Sequence, residues 1–267
     1  MLPLTSHGSE ILFEGQDIIS FSYHKIICLN TQKVFQEILL LFLHIIVKNM
    51  ALKAVIAGGS GLIGSELINC LLHREEFSEI LALVRTPLSY SHPKLKQIIV
   101  SFDSLETYTS QISGDILFCC LGSTARKTPN LKDYRKVDYY YPLSLAEIAK
   151  TQRFDQYHLV SSLGANPDSV SSYLKMKGEV EIAIQQTGLQ SVHIYRPSQL
   201  TGKRKEKRQF EKFTIGFMKI LNPFLAGPLK KYRSISAAKV ASAMVNQSVK
   251  KLKGIHIYNS DQIRQLA

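Results

Sequence analysis

From Lys53 onward the chain alternates short apolar runs with longer stretches in which apolar residues recur every three or four positions. The short runs read as strands buried on both faces, the longer ones as amphipathic helices. The pattern predicts strands at 53–57, 80–84, 97–100, 116–120, 156–161 and 191–195, and helices at about 62–73, 133–151 and 172–186. Pro142 should kink or divide the second helix, because proline removes a backbone donor. After Arg196 the rhythm gives way to a basic segment punctuated by Pro and Gly, then a helix near 237–249, a strand at 255–258 and a short final helix. Strands and helices taking turns predict an α/β fold with a doubly wound parallel sheet.

The first fifty residues do not share this rhythm. Their one long apolar run, 34–47, is fourteen residues long and is interrupted by Gln36, Glu37 and His44. A membrane-spanning helix needs about 20 apolar residues, and about thirty mixed residues precede the run, where a signal peptide has a short basic leader. A membrane-associating amphipathic helix, a packed N-terminal helix and an extension outside the fold compete. The extension is favoured, since Met50 leads at once into the first strand and a glycine turn. The expected organisation is therefore 1–50 as an N-terminal extension and 51–267 as one nucleotide-binding domain, with a small substrate-binding part after about residue 196.

Composition adds little to the fold but narrows the function. The 267 residues are 45% hydrophobic and 20% charged, which excludes disordered, collagen-like and polytopic membrane classes. Thirty-three Lys and Arg against 21 Asp and Glu leave a net charge of +12. Between Lys203 and Arg233 stand ten basic residues and two acidic ones, so two thirds of the surplus lies in one segment. No recognition helix or aromatic–basic platform accompanies it, which argues against nucleic acid. A solvated loop near the substrate opening, or an attractor of acidic substrates, remains open. The four cysteines, Cys28, Cys70, Cys119 and Cys120, lack metal-ligand spacing. No metal site is expected, and reduced thiols point to the cytoplasm.

The first chemical motif is Gly58-Gly59-Ser60-Gly61-Leu62-Ile63-Gly64, at the junction of the first strand and first helix. Gly58 permits the sharp turn, Gly61 lets the backbone approach a pyrophosphate, Gly64 lets the helix pack on the strand, and the helix N-terminus offers free N–H groups to the anion. A tight turn without a ligand is the plain alternative. The second strand ends in Leu83-Val84-Arg85, where NAD binders usually carry an acid for the ribose 2′-hydroxyl. Arg85 suits a 2′-phosphate, so NADP is expected rather than NAD, with a solvated surface arginine as the plain alternative. Asp103, after the third strand, could reach the adenine or simply cap a helix.

The second motif is Tyr173 and Lys177, four apart on a predicted helix and so on one face. Tyr90 and Lys94 share that spacing, but Pro93 between them argues against a helix. Tyr173 follows the fifth strand, which ends Val160-Ser161-Ser162 at the sheet edge where open α/β sheets bind ligands. An ammonium beside a phenol stabilises its phenolate, so Tyr173 could exchange a proton with a substrate oxygen. Lys177 would supply the charge and bond the nicotinamide ribose, and a serine hydroxyl, Ser162 in preference to Ser161, would hold the carbonyl oxygen in line. A packed Tyr and a solvated Lys are the plain alternative.

Taken together, these residues resemble the short-chain dehydrogenase/reductase superfamily. Phe118-Cys119-Cys120-Leu121-Gly122-Ser123-Thr124, Ser161-Ser162-Leu163-Gly164-Ala165, Tyr173-Leu174-x-x-Lys177-Gly178-Glu179-Val180-Glu181 and Arg196-Pro197 are similar to its atypical branch, in particular the Tat-interacting-protein family of NADPH-binding, oxidoreductase-like proteins. The likeness runs from about Lys53 to the C-terminus. It implies a Rossmann-type domain in which Gly58, Ser60, Gly61, Leu62, Ile63, Gly64 and Arg85 bind the cofactor and Leu121 and Gly122 line its site. It also implies Ser162, Tyr173 and Lys177 as the catalytic set. Two functions are expected to compete: an NADP-dependent oxidoreductase acting on a small carbonyl or alcohol, and a non-catalytic NADPH-binding sensor or regulatory protein. The small-molecule substrate is unassigned, a protein partner or homodimer stays open, and no membrane partner is expected.

Overall fold

Residues 34–36, 51–123, 130–202 and 232–267 are described in a computed structural model. The chain divides into two units, Met1–Met50 and Ala51–Ala267. In the first, 34–36 form a helical turn with Val34 and Phe35 exposed; the rest of the apolar run, Cys28 and the basic segment 203–231 lie outside the described residues.

The second unit opens with β1 (Leu52–Ala57), whose last four residues are buried, and α1 (Leu62–Leu72), which turns Ile63, Leu67, Ile68 and Leu71 to the core. Then come β2 (Phe77–Val84), β3 (Leu95–Ile99), a 3-10 segment (Phe102–Gln111) and β4 (Ile116–Cys119). Next, α2 (Leu131–Arg135) runs through a π turn (Lys136–Tyr140) into α3 (Tyr141–Thr151), followed by β5 (Gln156–Val160), α4 (Ser172–Gln185) and β6 (Ser191–Arg196). The last part holds β7 (Leu200–Thr201), β8 (Ile235–Ser236), α5 (Ala237–Ser248), β9 (Gly254–Asn259) and α6 (Ser260–Leu266).

Seven strands form one sheet in the order β3-β2-β1-β4-β5-β6-β9, and every pair is parallel. The order reverses between β1 and β4, so a crevice opens there at the carboxyl ends of the strands. One core layer joins the sheet to α1, α5 and α6 through residues such as Leu67, Val240 and Ile263; the other joins it to α3 and α4 through Leu145, Ala149, Val180 and Ile184. This is the expected α/β Rossmann-type doubly wound sheet. β7 and β8 form a separate parallel pair.

The differences from the sequence reading lie at element ends. Val100, Cys120 and Ser161 fall just past their strands, yet their N–H groups still bond to Val84, Ala57 and Tyr195 at 2.9, 2.9 and 2.7 Å. β2 begins three residues earlier than expected. The expected helix at 133–151 is divided, as Pro142 suggested, and Pro142 lies in the first turn of α3. Proline has no N–H for the carbonyl four residues back, that of Asp138, and the wide π turn falls where that bond is missing. The 3-10 segment and the short β7–β8 pair were not foreseen.

Candidate active site

The glycine turn fits its expected task at the level of single atoms. Gly58 has a φ of +87°, and a Cβ there would meet the Cys120 carbonyl carbon at 2.7 Å. At Gly64 a Cβ would come within 2.2 Å of the Gly58 carbonyl oxygen, so any side chain would push α1 off β1. The Gly61 N–H donates to that same carbonyl at 2.9 Å. The N-cap of α1 is Gly61, which has no capping side chain, and the first turn holds no acid, so among the described residues nothing compensates the N-terminal donors and dipole of α1. Ser60 is exposed on the turn, whereas Leu62 is half-buried and Ile63 packs in the core. Only the backbones of these last two bear on a ligand at the helix start. A cradle bare of side chains below a free helix N-terminus suits a pyrophosphate.

Arg85 is exposed just beyond β2, next to β1 in the sheet. Its charge reaches Tyr141, whose hydroxyl donates to Asp103 at 2.8 Å. Asp103 also pairs with Lys136 Nζ at 3.1 Å. The Tyr141 bond and then Lys136 hold the Asp103 carboxyl below the usual range. Asp103 is not an N-cap, for Ser101 holds that position; the expected capping alternative is corrected.

Leu121, Gly122 and Ser123 leave β4 into the crevice. Beneath them lies the residue that sequence reasoning missed. Asp138, fully buried in the π turn, accepts the Ser123 N–H at 2.7 Å through Oδ2. Its Oδ1 stands 2.9 Å from Nζ of Lys177, itself 3% exposed. Oδ1 has this ion pair but no aligned hydrogen bond. Burial opposes the Lys177 ammonium, but Asp138 and then Tyr173 outweigh it, so its pKa stands above the usual lysine value. Tyr173 begins α4 and stacks on Tyr134 of α2, with ring centroids 6.4 Å apart. Burial, then Asp138 and Tyr173, push the Tyr134 hydroxyl far up, which keeps it neutral.

The two serines divide. Ser161 is buried, and its hydroxyl donates to Glu181, which also takes Arg196 in a two-pronged pair. Ser162 is half-buried and its hydroxyl makes no hydrogen bond among the described residues. The loop that follows packs on α4: the Asn166 N–H bonds to the Leu174 carbonyl at 3.1 Å, and a Cβ on Gly178 would strike Pro167 N at 2.3 Å. The loop after Ser162 is thus anchored on the part of α4 that carries Tyr173 and Lys177. Tyr90 and Lys94 lie in no helix, and Lys94 bonds to the Arg74 carbonyl. Among the described residues no group of three or more His, Cys, Asp or Glu is placed to hold a metal ion, and no helix is long and apolar enough to cross a membrane.

The parallel sheet and its glycine turn define a dinucleotide-binding domain. The chain belongs to the NAD(P)H-binding family, whose model matches residues 58–251, as an atypical short-chain dehydrogenase/reductase. "Protein FMP52, mitochondrial" of Coccidioides immitis is 32% identical over 232 residues, covering 82% of this chain and 94% of that protein. "Protein HTATIP2" of Rattus norvegicus is 34% identical over 160 residues, covering 58% and 66%. Among solved structures, the Bordetella bronchiseptica enzyme WbmH in complex with NAD+ superposes with a TM-score of 0.60, at 16% identity, over 80% of this chain and 79% of that one, a likeness of fold.

These relatives overturn the expected cytoplasmic location, because the FMP52 proteins are designated mitochondrial. The expectation rested on reduced cysteines. Cys119 is buried and Cys70 and Cys120 are half-buried, so they report on packing and do not distinguish one compartment from another.

Proposed function

We propose that the chain is an NADP-dependent oxidoreductase that interconverts a small carbonyl compound and its alcohol in the mitochondrion. The supporting observation is the placement of the Lys177 ammonium, buried and in electrostatic contact with Tyr173, one loop away from the unbonded hydroxyl of Ser162. Bound NADPH supplies the hydride. Ser162 holds the substrate oxygen by donating a hydrogen bond, which orients the carbonyl and stabilises charge developing on it. Tyr173 gives its phenolic proton to that oxygen in reduction and takes it back in oxidation, and Lys177 stabilises the phenolate between the two. Arg85, exposed at the end of β2 where an acid would select NAD, supports the choice of NADP. The mitochondrial location follows the designation of the FMP52 relatives.

The test is a panel of small carbonyl compounds and alcohols monitored by NADPH absorbance, run on the wild type and on Tyr173→Phe. The wild type turns over at least one member of the panel. Tyr173→Phe loses about 10²- to 10⁴-fold in kcat while its NADPH affinity stays within about threefold. NADPH binding with no oxidation anywhere on the panel would leave a sensor and overturn the enzyme reading.

A further inference from the structure

β9 ends the sheet on one side, and its outer flank pairs with no strand among the described residues. The Gly254 N–H bonds to the Gln190 carbonyl at 2.8 Å. Every second residue of a strand points its backbone groups the same way, so His256 and Tyr258 also face β6, and the N–H and C=O groups of Ile255 and Ile257 point outward. Among the described residues no hydrogen bond takes these four groups. The next outward groups on either side are engaged: the Lys253 carbonyl accepts from Nε2 of His256 at 2.9 Å, and the Asn259 N–H donates to the Gln262 side chain at 2.8 Å. The open edge is thus two residues long.

The same two residues expose their side chains. Ile255 and Ile257 stand beside Val192 and Ile194 in the register, yet Val192 and Ile194 are buried in a core layer while the two isoleucines are 50% and 38% exposed. An open edge carrying apolar residues is a template for another strand, and charge decides which strand it admits. Lys250, Lys251 and Lys253, all exposed, precede β9, and Asp261 follows it in the first turn of α6. Arg264 of that helix is engaged by the Arg233 and Ser234 carbonyls. A second copy laid parallel would set lysines against lysines. Laid antiparallel, it sets the lysines of each copy against Asp261 of the other, and such a two-fold pair uses both edges and closes. The open groups also select the register. Ile255 opposite Ile257 of the second copy, and the reverse, gives four hydrogen bonds and brings four isoleucines together on one face. Either isoleucine opposite its own twin gives two, and leaves the other facing Lys253 or Asn259, where a backbone group is already engaged.

We propose that the outer edge of β9 is a docking surface for a second copy of this chain, the two β9 strands pairing antiparallel about a two-fold axis with Ile255 of each opposite Ile257 of the other and Lys251 of each near Asp261 of the other. The contact is small, so the dimer is expected to dissociate in the micromolar range. None of the residues assigned to the coenzyme or to catalysis lies on β9, so the proposal stands or falls independently of the reaction.

The test is sedimentation velocity on the full-length protein from about 1 to about 200 μM. The wild type should pass from monomer to twice that mass across the range. Ile257→Lys, at an exposed position in the centre of the contact, should raise the dissociation constant at least about tenfold. Lys251→Glu and Asp261→Lys should each raise it about threefold, and the double variant, which exchanges the two charges, should return to within about twofold of wild type. If Ile257→Lys does not fold, the charge exchange decides alone, since neither Lys251 nor Asp261 is buried. A wild type that stays monomeric throughout would overturn the proposal, and a monomer that sediments with vesicles of anionic phospholipid would assign the lysine-flanked edge to a lipid surface instead. A dimer indifferent to Ile257→Lys, or a double charge variant no tighter than the single ones, would equally overturn it, because the second copy would then sit elsewhere.

Discussion

Ser161 and Ser162 stand side by side, yet among the described residues only the Ser161 hydroxyl is bonded into the frame around them. Ser161 donates into the buried Glu181–Arg196 pair and so ties the end of β5 to α4 and β6. Ser161→Ala leaves a buried carboxylate short of a donor and should lower unfolding free energy by about 1–3 kcal/mol, read from denaturant midpoints. Ser162→Ala should leave that midpoint unchanged and cut turnover about 10²-fold; the reverse pattern would exchange their roles. The proposed preference for Ser162 rests on its place in Val160-Ser161-Ser162-Leu163-Gly164. What made Ser161 structural was not legible there, because Glu181 and Arg196 are 20 and 15 positions away from their partners. Asp138 left a fainter trace. It stands four before Pro142 and seven before Leu145, both buried, so helical spacing puts an acid on the buried face, yet nothing local names Lys177 as its partner.

At the scale of elements, the strand–turn–helix at 52–72 could be read from the sequence because each glycine answers to a neighbour a few residues away: Gly64 and Gly61 both meet the Gly58 carbonyl. The rung that crosses β4, β5, β6 and β9 could not. Phe118, His158, His193 and His256 are direct partners in the register; the Phe118 and His158 rings are tilted at 4.8 Å, and the histidine pairs stack at 4.4 and 4.9 Å. Only the sheet order brings three distant histidines together. Burial first, then neighbouring imidazoles, push His158 well below its usual value and His193 down to about 4. Tyr195 and Gln156 satisfy the ring nitrogens of His158, and Tyr258 and Ser191 those of His193. With the folded pKa depressed, the unfolded chain binds more protons below the ordinary value of 6.5. Stability is therefore complete above that pH and is lost on the way down to about 4, by on the order of 3 kcal/mol for His193 alone. Denaturation midpoints measured across this range should fall with pH, and His193→Gln should flatten the fall. An unchanged slope in the variant would mean that the rung does not titrate.

For the whole molecule, the unit Ala51–Ala267 contains the sheet, both core layers and every residue assigned to the site. A chain beginning at Met50 is therefore expected to fold and to bind NADPH within about threefold of full length, as judged by its thermal transition and by titration. Failure to fold would show that the first fifty residues belong to the core. The doubly wound architecture was legible because its signal repeats along the chain, strand after helix. Location was not, since compartment is not encoded in the packing of Cys70, Cys119 and Cys120. Everything assigned to the crevice depends on its gripping a nicotinamide dinucleotide, and the proposed preference for NADP depends on Arg85. Calorimetric titration of the folded full-length protein with NADPH and NADH, alongside Arg85→Glu, tests this directly. The account predicts saturable heat with NADPH, weaker binding of NADH, and a loss of at least about tenfold for NADPH in the variant. No heat from either coenzyme would contradict it.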